Sequence, residues 1–228
     1  MKFIDQLKEK AKQNKKTIVL PETSDMRTIE AAGKVLAEGI ANIILVGDKE
    51  DIMSRAGDID LSGASFVDPK NYEKFDEYVD AFGEMRRKKG MTEARAKELL
   101  LTNPLYFGCM MVKQDDADGM VAGAINASAD VLRAALQTLK TAPGTRIVSA
   151  FFLVVVPDCQ YGANGTFVFA DAGLNQSPSA SELADIAEQS AKSFELLVDE
   201  TPVVAMLSHS TKGSAKHPDV DKVIEATE

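Results

Sequence analysis

The sequence predicts an α/β protein: two α/β domains with mainly parallel sheets, the second incomplete. Three observations lead there. Short unbroken apolar runs such as TIVL (17–20), NIILV (42–46) and PVVAML (202–207) have the length and β-branched content of buried parallel strands. The first two are joined by a helical pattern, giving strand, helix and strand within about thirty residues, the span of a βαβ unit. The texture then changes after the APGT segment (142–145), which divides the chain into 1–144 and 145–228.

Taken in order, residues 1–16 read as an amphipathic helix with Phe3, Ile4 and Leu7 on one side. The run 17–20 ends at Pro21, and Thr23, Ser24 and Asp25 offer N-caps for a helix over 26–38. Ile29, Ala32 and Leu36 share one face of it and Gly39 stops it. The strand at 42–46 closes with Gly47 and Asp48, and a crossover between parallel strands is right-handed in ~98% of cases. A short helix over 50–55 and a strand at 65–67 extend the pattern.

Tyr72, Phe75, Val79 and Phe82 recur at three or four residues, predicting a helix over 71–89. It ends in Arg86, Arg87, Lys88 and Lys89 before Gly90. Cations there complement the helix dipole, so they need not bind a ligand, although they can attract an anion. Thr92 begins another helix, and Pro104 suits the first position of a helix reaching Lys113.

Residues 119–133, GMVAGAINASADVLR, read as a strand at 120–122, a loop of small residues and a helix capped by Ser128 and carrying Arg133. Small residues before a helix N-terminus admit an anion to unpaired backbone N–H groups. The same loop also serves α/β crossovers that bind nothing, and the GxxxxGK[ST] and GxGxxG spacings are absent.

Beyond the boundary, the apolar runs IVSAFFLVVV (147–156) and TFVFAD (166–171) predict an antiparallel hairpin. Asp158 and Asp171 flank it, either as an acid/base pair or as turn formers. Ser179 and Glu182 form a capping box before a helix with Leu183, Ile186, Ser190, Phe194 and Leu197 on its pattern. The run 202–207 predicts a buried strand that empties into SHSTKGSAK (208–216), a second loop suited to an anion or simply to solvent. His209 and His217 lack acidic or cysteine neighbours at ligand spacing and read as surface residues. A final helix opens near Asp219 and reaches Glu228 without a terminator, so a further strand is expected to follow.

Composition bounds the function. With 45% apolar and 27% charged residues the chain is an ordinary globular protein, and its net charge of −9 disfavours nucleic acid or anionic membrane as partner. An anionic small molecule would need a local cluster of cations. The longest apolar run, 150–156, is far below the ~20 residues of a membrane span, and the N-terminus has no signal-peptide core. Cys109 and Cys159 lack metal-type neighbours and are expected to be reduced thiols in a cytoplasmic protein. No GxSxG elbow or HExxH motif supports a serine hydrolase or zinc protease.

The segments KTIVLPETSDMRTIEAAGKVL, ANIILVGD, FGEMRRKKGMT, DGMVAGAINASADVLRAALQTLKTAPG, FFLVVVPDCQYGANGTFVFADAGLN and VAMLSHSTKGSAK, in this order, resemble the phosphate acetyltransferases. The resemblance implies acetyl transfer between acetyl phosphate and coenzyme A, with coenzyme A as substrate, no metal or bound cofactor, and a homodimer. It carries coenzyme A contacts onto Arg86 and Arg133, with Arg87 the alternative in the adjacent register and Ser128 beside Arg133. Ser210, Thr211, Lys212, Gly213 and Ser214 would line the acetyl phosphate side. The family's SRGCS segment and following aspartate have no counterpart before Glu228, so by resemblance the catalytic serine, arginine and aspartate lie beyond it. The rival expectations are a non-catalytic coenzyme A or phosphate-binding or interaction module, a phosphate butyryltransferase, and a dinucleotide-dependent dehydrogenase, the last disfavoured by the missing GxGxxG.

Overall fold

The computed structural model describes residues 3–211 and 213–228. The chain forms two compact units, Met1–Lys140 and Thr141–Glu228.

In the first unit, helix α1 (Phe3–Gln13) buries none of its residues. Strands β1 (Lys16–Leu20), β2 (Ala41–Val46), β3 (Ser65–Val67) and β4 (Gly119–Met120) form a parallel sheet in the order β3-β2-β1-β4. Side chains alternate across a strand, so the sheet sends Leu20, Ile43 and Leu45 to one core and Val19, Ile44 and Val46 to the other. Helices α2 (Met26–Glu38) and α3 (Lys49–Ala56) supply Ile29, Ala32, Ile52 and Ala56 to the first of these. Helices α4 (Phe75–Arg86), α5 (Glu93–Thr102), α6 (Pro104–Lys113) and α7 (Ser128–Thr138) fill the second around Phe82, Leu100, Phe107 and Ala134. Both faces are covered, as an all-parallel sheet requires.

Local chemistry sets most boundaries. Asp25 caps α2, its carboxylate accepting from the Arg27 N–H, and Gly39 closes that helix at φ 67°. Thr92 caps α5, Pro104 opens α6, and Cys109 lies wholly buried within α6, where burial pushes its thiol up to about 11. The helix expected over 71–89 is shorter. Asp68 organises a turn over 68–71, Tyr72 and Lys74 reach back to the Asp116 carboxylate, and α4 starts only at Phe75. After Arg86 the chain tightens into a 3-10 turn, Arg87–Lys89, closed by Gly90 at φ 80°.

Gly108 lets α6 lie close on the sheet. A Cβ there would sit 2.8 Å from Met120 Sδ and 3.3 Å from Val19 Cγ1. Gly108→Val is therefore expected to destabilise by about 1–3 kcal/mol through overpacking, read as a lower urea midpoint; an unchanged midpoint would refute close packing at this contact.

The second unit pairs β5 (Phe151–Val155) with β6 (Thr166–Ala170) antiparallel and adds α8 (Ala180–Val198) and α9 (Pro218–Thr227). The Ser179–Glu182 capping box is present. Parallel pairing is confined to the first unit among the described residues. The run 202–207 is not a buried strand: Val203 is 94% and Leu207 84% exposed. Its apolar sequence is strand-like, but a strand exists only through a neighbour's ladder, and among the described residues no strand pairs with it.

Candidate functional site

Strand order reverses between β1 and β4, and ligands of open α/β sheets bind outside the carboxyl ends of strands at such a point. Here the segment after β1, Pro21-Glu22-Thr23, meets the small-residue loop after β4. Glu22 is only 2% exposed. One carboxylate oxygen accepts the N–H groups of Gly123 and Ala124 at 2.6 Å each. The other accepts the N–H groups of Ile125 at 3.2 Å and Asn126 at 2.9 Å, and the Asn126 side-chain amide at 2.7 Å. Arg27 donates to the Ala124 carbonyl, while Thr23 Oγ1 donates to the Val46 carbonyl at 2.6 Å.

Burial by itself would raise the Glu22 pKa. The Asn126 side chain and the backbone N–H groups of Asn126, Ala124 and Ile125 outweigh it and bring the value down to about 2. The loop is thus an anion-binding loop, and the anion at its amides is the protein's own carboxylate. Two expectations change with it. The strand at 120–122 stops at Met120, where the chain turns its amides toward Glu22. Ser128 does not cap α7: Ala127 is the N-cap and makes no side-chain cap bond, leaving Ser128 as the first helical residue. The signal for Glu22 was present as an acid directly after a buried strand, but its partners are about a hundred positions away.

A pocket of about 440 Å³ opens in the same unit. It is lined by Arg86 at the end of α4, Lys89 of the 3-10 turn, Arg95 of α5, Tyr106 of α6, and Arg133 and Gln137 one turn apart on α7. Met91 and Leu99 supply apolar wall, and Glu98 is the acidic member. Arg133 Nη1 bonds Asp130 Oδ1 at 2.5 Å, whereas among the described residues Arg86, Lys89 and Arg95 have no carboxylate partner. Arg86 Nε is buried and has no acceptor among the described residues. Tyr106 donates to Gln137 Oε1 at 3.2 Å and packs edge-on against Phe82. Burial raises its pKa, and the positive charges of Arg133 and Arg86 pull it back.

Four cations gathered with only Asp130 and Glu98 beside them are costly unless an anion joins them, and this chain carries a net charge of −9. Of the expected residues, the structure brings Arg86 and Arg133 together. Arg87 lies outside this lining, 3.2 Å from Glu84 Oε2. Lys89 belongs to the basic cluster visible in the sequence. Arg95, Tyr106 and Gln137 were not foreseen, because they come from three separate helices.

In the second unit, the hydroxyl loop bonds to itself. Ser210 Oγ accepts the Ala215 N–H at 3.1 Å, Ser214 Oγ accepts the Thr211 N–H at 3.0 Å, and Gly213 turns at φ 81°. Lys212 lies outside the described residues. His217 caps α9, its Nδ1 accepting from the Asp219 N–H at 3.1 Å. Asp171 accepts the Asn175 N–H at 2.6 Å and Asp158 turns at φ 53°, so both act as turn formers here.

Residues 2–228 match the profile of the family described as "Phosphate acetyl/butaryl transferase". The chain belongs to this family. Among its relatives, the phosphate acetyltransferase of Acetivibrio thermocellus is 53% identical over the whole of this chain and 68% of its own length. That of Thermoanaerobacterium thermosaccharolyticum is 54% identical, again over the whole chain and 69% of its own length. The solved EutD phosphotransacetylase from Staphylococcus aureus superposes with a TM-score of 0.87 at 39% identity, covering 98% of this chain and 66% of that one. A phosphotransacetylase from Streptococcus pyogenes gives 0.88 at 39% identity, covering 99% and 67%. The chain therefore spans about two thirds of the length of these family members. Among the described residues no helix is long and apolar enough to cross a membrane.

Proposed function

We propose that this chain is an acyltransferase component that moves an acetyl group between acetyl phosphate and coenzyme A, and that the pocket of the first unit holds the phosphates of coenzyme A. The observation that carries the reading is the convergence of Arg86, Lys89, Arg95 and Arg133 on one pocket in an acidic protein of this family. Guanidinium forks match phosphate oxygens in geometry and charge, and the buried, unpartnered Arg86 Nε is a donor awaiting one.

In the transfer, the coenzyme A thiol loses its proton to a base and the sulfur attacks the acetyl carbonyl. The C–S bond forms, the C–O bond to phosphate breaks, and phosphate departs with the electron pair. Residues that hold both substrates contribute mainly by proximity and orientation. The self-bonded loop of Ser210, Thr211, Gly213 and Ser214, with Lys212, is assigned to the acetyl phosphate side, and Ser128 to the coenzyme A side beside Arg133. No metal or bound cofactor enters this reading, and a cytoplasmic homodimer is the expected form, with Cys109 and Cys159 as free thiols.

The test is formation of acetyl-CoA from acetyl phosphate and coenzyme A by the purified chain, with calorimetric binding of coenzyme A alongside. Turnover supports the enzyme. Binding without turnover supports a coenzyme A-binding module, and absence of both refutes the reading. Arg87→Ala is expected to leave coenzyme A affinity within about twofold, since Arg87 is 73% exposed and paired with Glu84. A tenfold loss (~1.4 kcal/mol) would return the coenzyme A contact to Arg87.

A further inference from the structure

The loop between β4 and α7 has little apolar anchorage. Val121 and Ile125 are 63% and 56% exposed, and α7 begins without a side-chain cap. Its start is held by the Val121 N–H on the Val19 carbonyl at 3.0 Å and by Ala122 against the core, and residues 123–126 are tied by five donors on the Glu22 carboxylate and the Arg27 contact to the Ala124 carbonyl. The Asn126 N–H and side chain are the last of those donors, two residues before α7 starts. Arg133 stands on that helix and faces the cation pocket.

We propose that Glu22 is a positioning residue for the anion pocket: by occupying the amides of the loop it fixes the start of α7, and through α7 the place of Arg133. An isosteric amide at Glu22 would present an N–H₂ group to N–H donors, releasing half of the loop's tether. The loop and the first turn of α7 would then sample other positions, and Arg133 would meet the ligand less often. Arg86 stands on α4, whereas the hydrogen bonds to the Glu22 carboxylate come from residues 123–126, so its contribution is independent of the tether. The inference rests on the pocket binding phosphate groups.

A double-mutant cycle separates positioning from general weakening of the fold. Affinities for coenzyme A, and for inorganic pyrophosphate as a minimal probe, are measured calorimetrically on the folded chain, Glu22→Gln, Arg133→Ala, Arg86→Ala and the paired variants. Glu22→Gln is expected to weaken binding about tenfold in the parent, about tenfold again in Arg86→Ala, and less than about twofold in Arg133→Ala. Equal losses in all three backgrounds, or no loss in the parent, overturn the positioning role. Asn126→Ala removes only the side-chain amide, one of the five donors, and leaves the Glu22 charge and its four backbone donors in place. It is expected to show the same dependence on Arg133 with about a threefold effect, and it decides the question if Glu22→Gln does not fold. If pyrophosphate follows the cycle and coenzyme A does not bind, the positioning role stands and the coenzyme A reading falls. If neither probe binds the parent chain, both are overturned.

Discussion

Replacing Glu22 with glutamine is expected to lower the unfolding free energy at pH 7 by about 3 kcal/mol. The hydrogen bonds that depress its pKa from 4.5 to about 2 stabilise the folded carboxylate by ~1.4 kcal/mol per unit. The side chain is nearly inaccessible, so solvent does little to screen the five bonds it accepts. The sign of the pH dependence is definite. Because the folded-state pKa is depressed, the stabilisation is fully present above the unfolded value of 4.5 and is lost as pH falls toward about 2. Urea denaturation of the parent chain and Glu22→Gln should give well-separated midpoints at pH 7 that converge as the pH is lowered through this window. A separation that stays constant from neutral to acid pH would show that the carboxylate's charge is not what holds the loop.

Arg86→Ala and Arg133→Ala should each weaken coenzyme A binding by about 10- to 100-fold, the loss expected when a charged hydrogen bond of ~1.5–3 kcal/mol is removed. Arg133 is 57% exposed and among the described residues pairs with its neighbour Asp130 alone, so its removal should shift the urea midpoint very little. Arg86 differs in that its Nε is buried and unpartnered, so alanine there removes a standing desolvation cost, and the variant can be as stable as the parent. Binding should also weaken as salt rises, because the pocket's cations act on an anion through solvent. Calorimetry at two ionic strengths checks both points. Full affinity in a folded double variant would remove the pocket from the binding of coenzyme A.

Much of the fold could be read locally. Asp25 as a cap, Gly39 and Gly90 as left-handed terminators, Pro104 as a first helical residue and the Ser179–Glu182 box are all signals carried within a few residues, and each has its expected effect. Arg86 and Arg133 were legible through the motifs around them. Arg95, Tyr106 and Gln137 were not, since nothing within α5, α6 or α7 by itself says that these three helices end at one pocket. The run 202–207 misled for the converse reason: its composition suits a strand, and a strand also needs a partner.

The loop at 123–127 divides the two kinds of knowledge. Its small residues, and the helix that follows, determine that backbone amides are presented to an anion; that depends only on the conformations these residues allow. Which anion is there depends on a contact between Glu22 and Gly123, 101 positions apart, made when β1 and β4 lie side by side in parallel. Short-range pattern sets caps, periodicity and loop chemistry because each involves neighbours along the chain. Tertiary structure decides the partner of a buried charge, and the assembly of a pocket from four helices, because those are set by packing across the sheet.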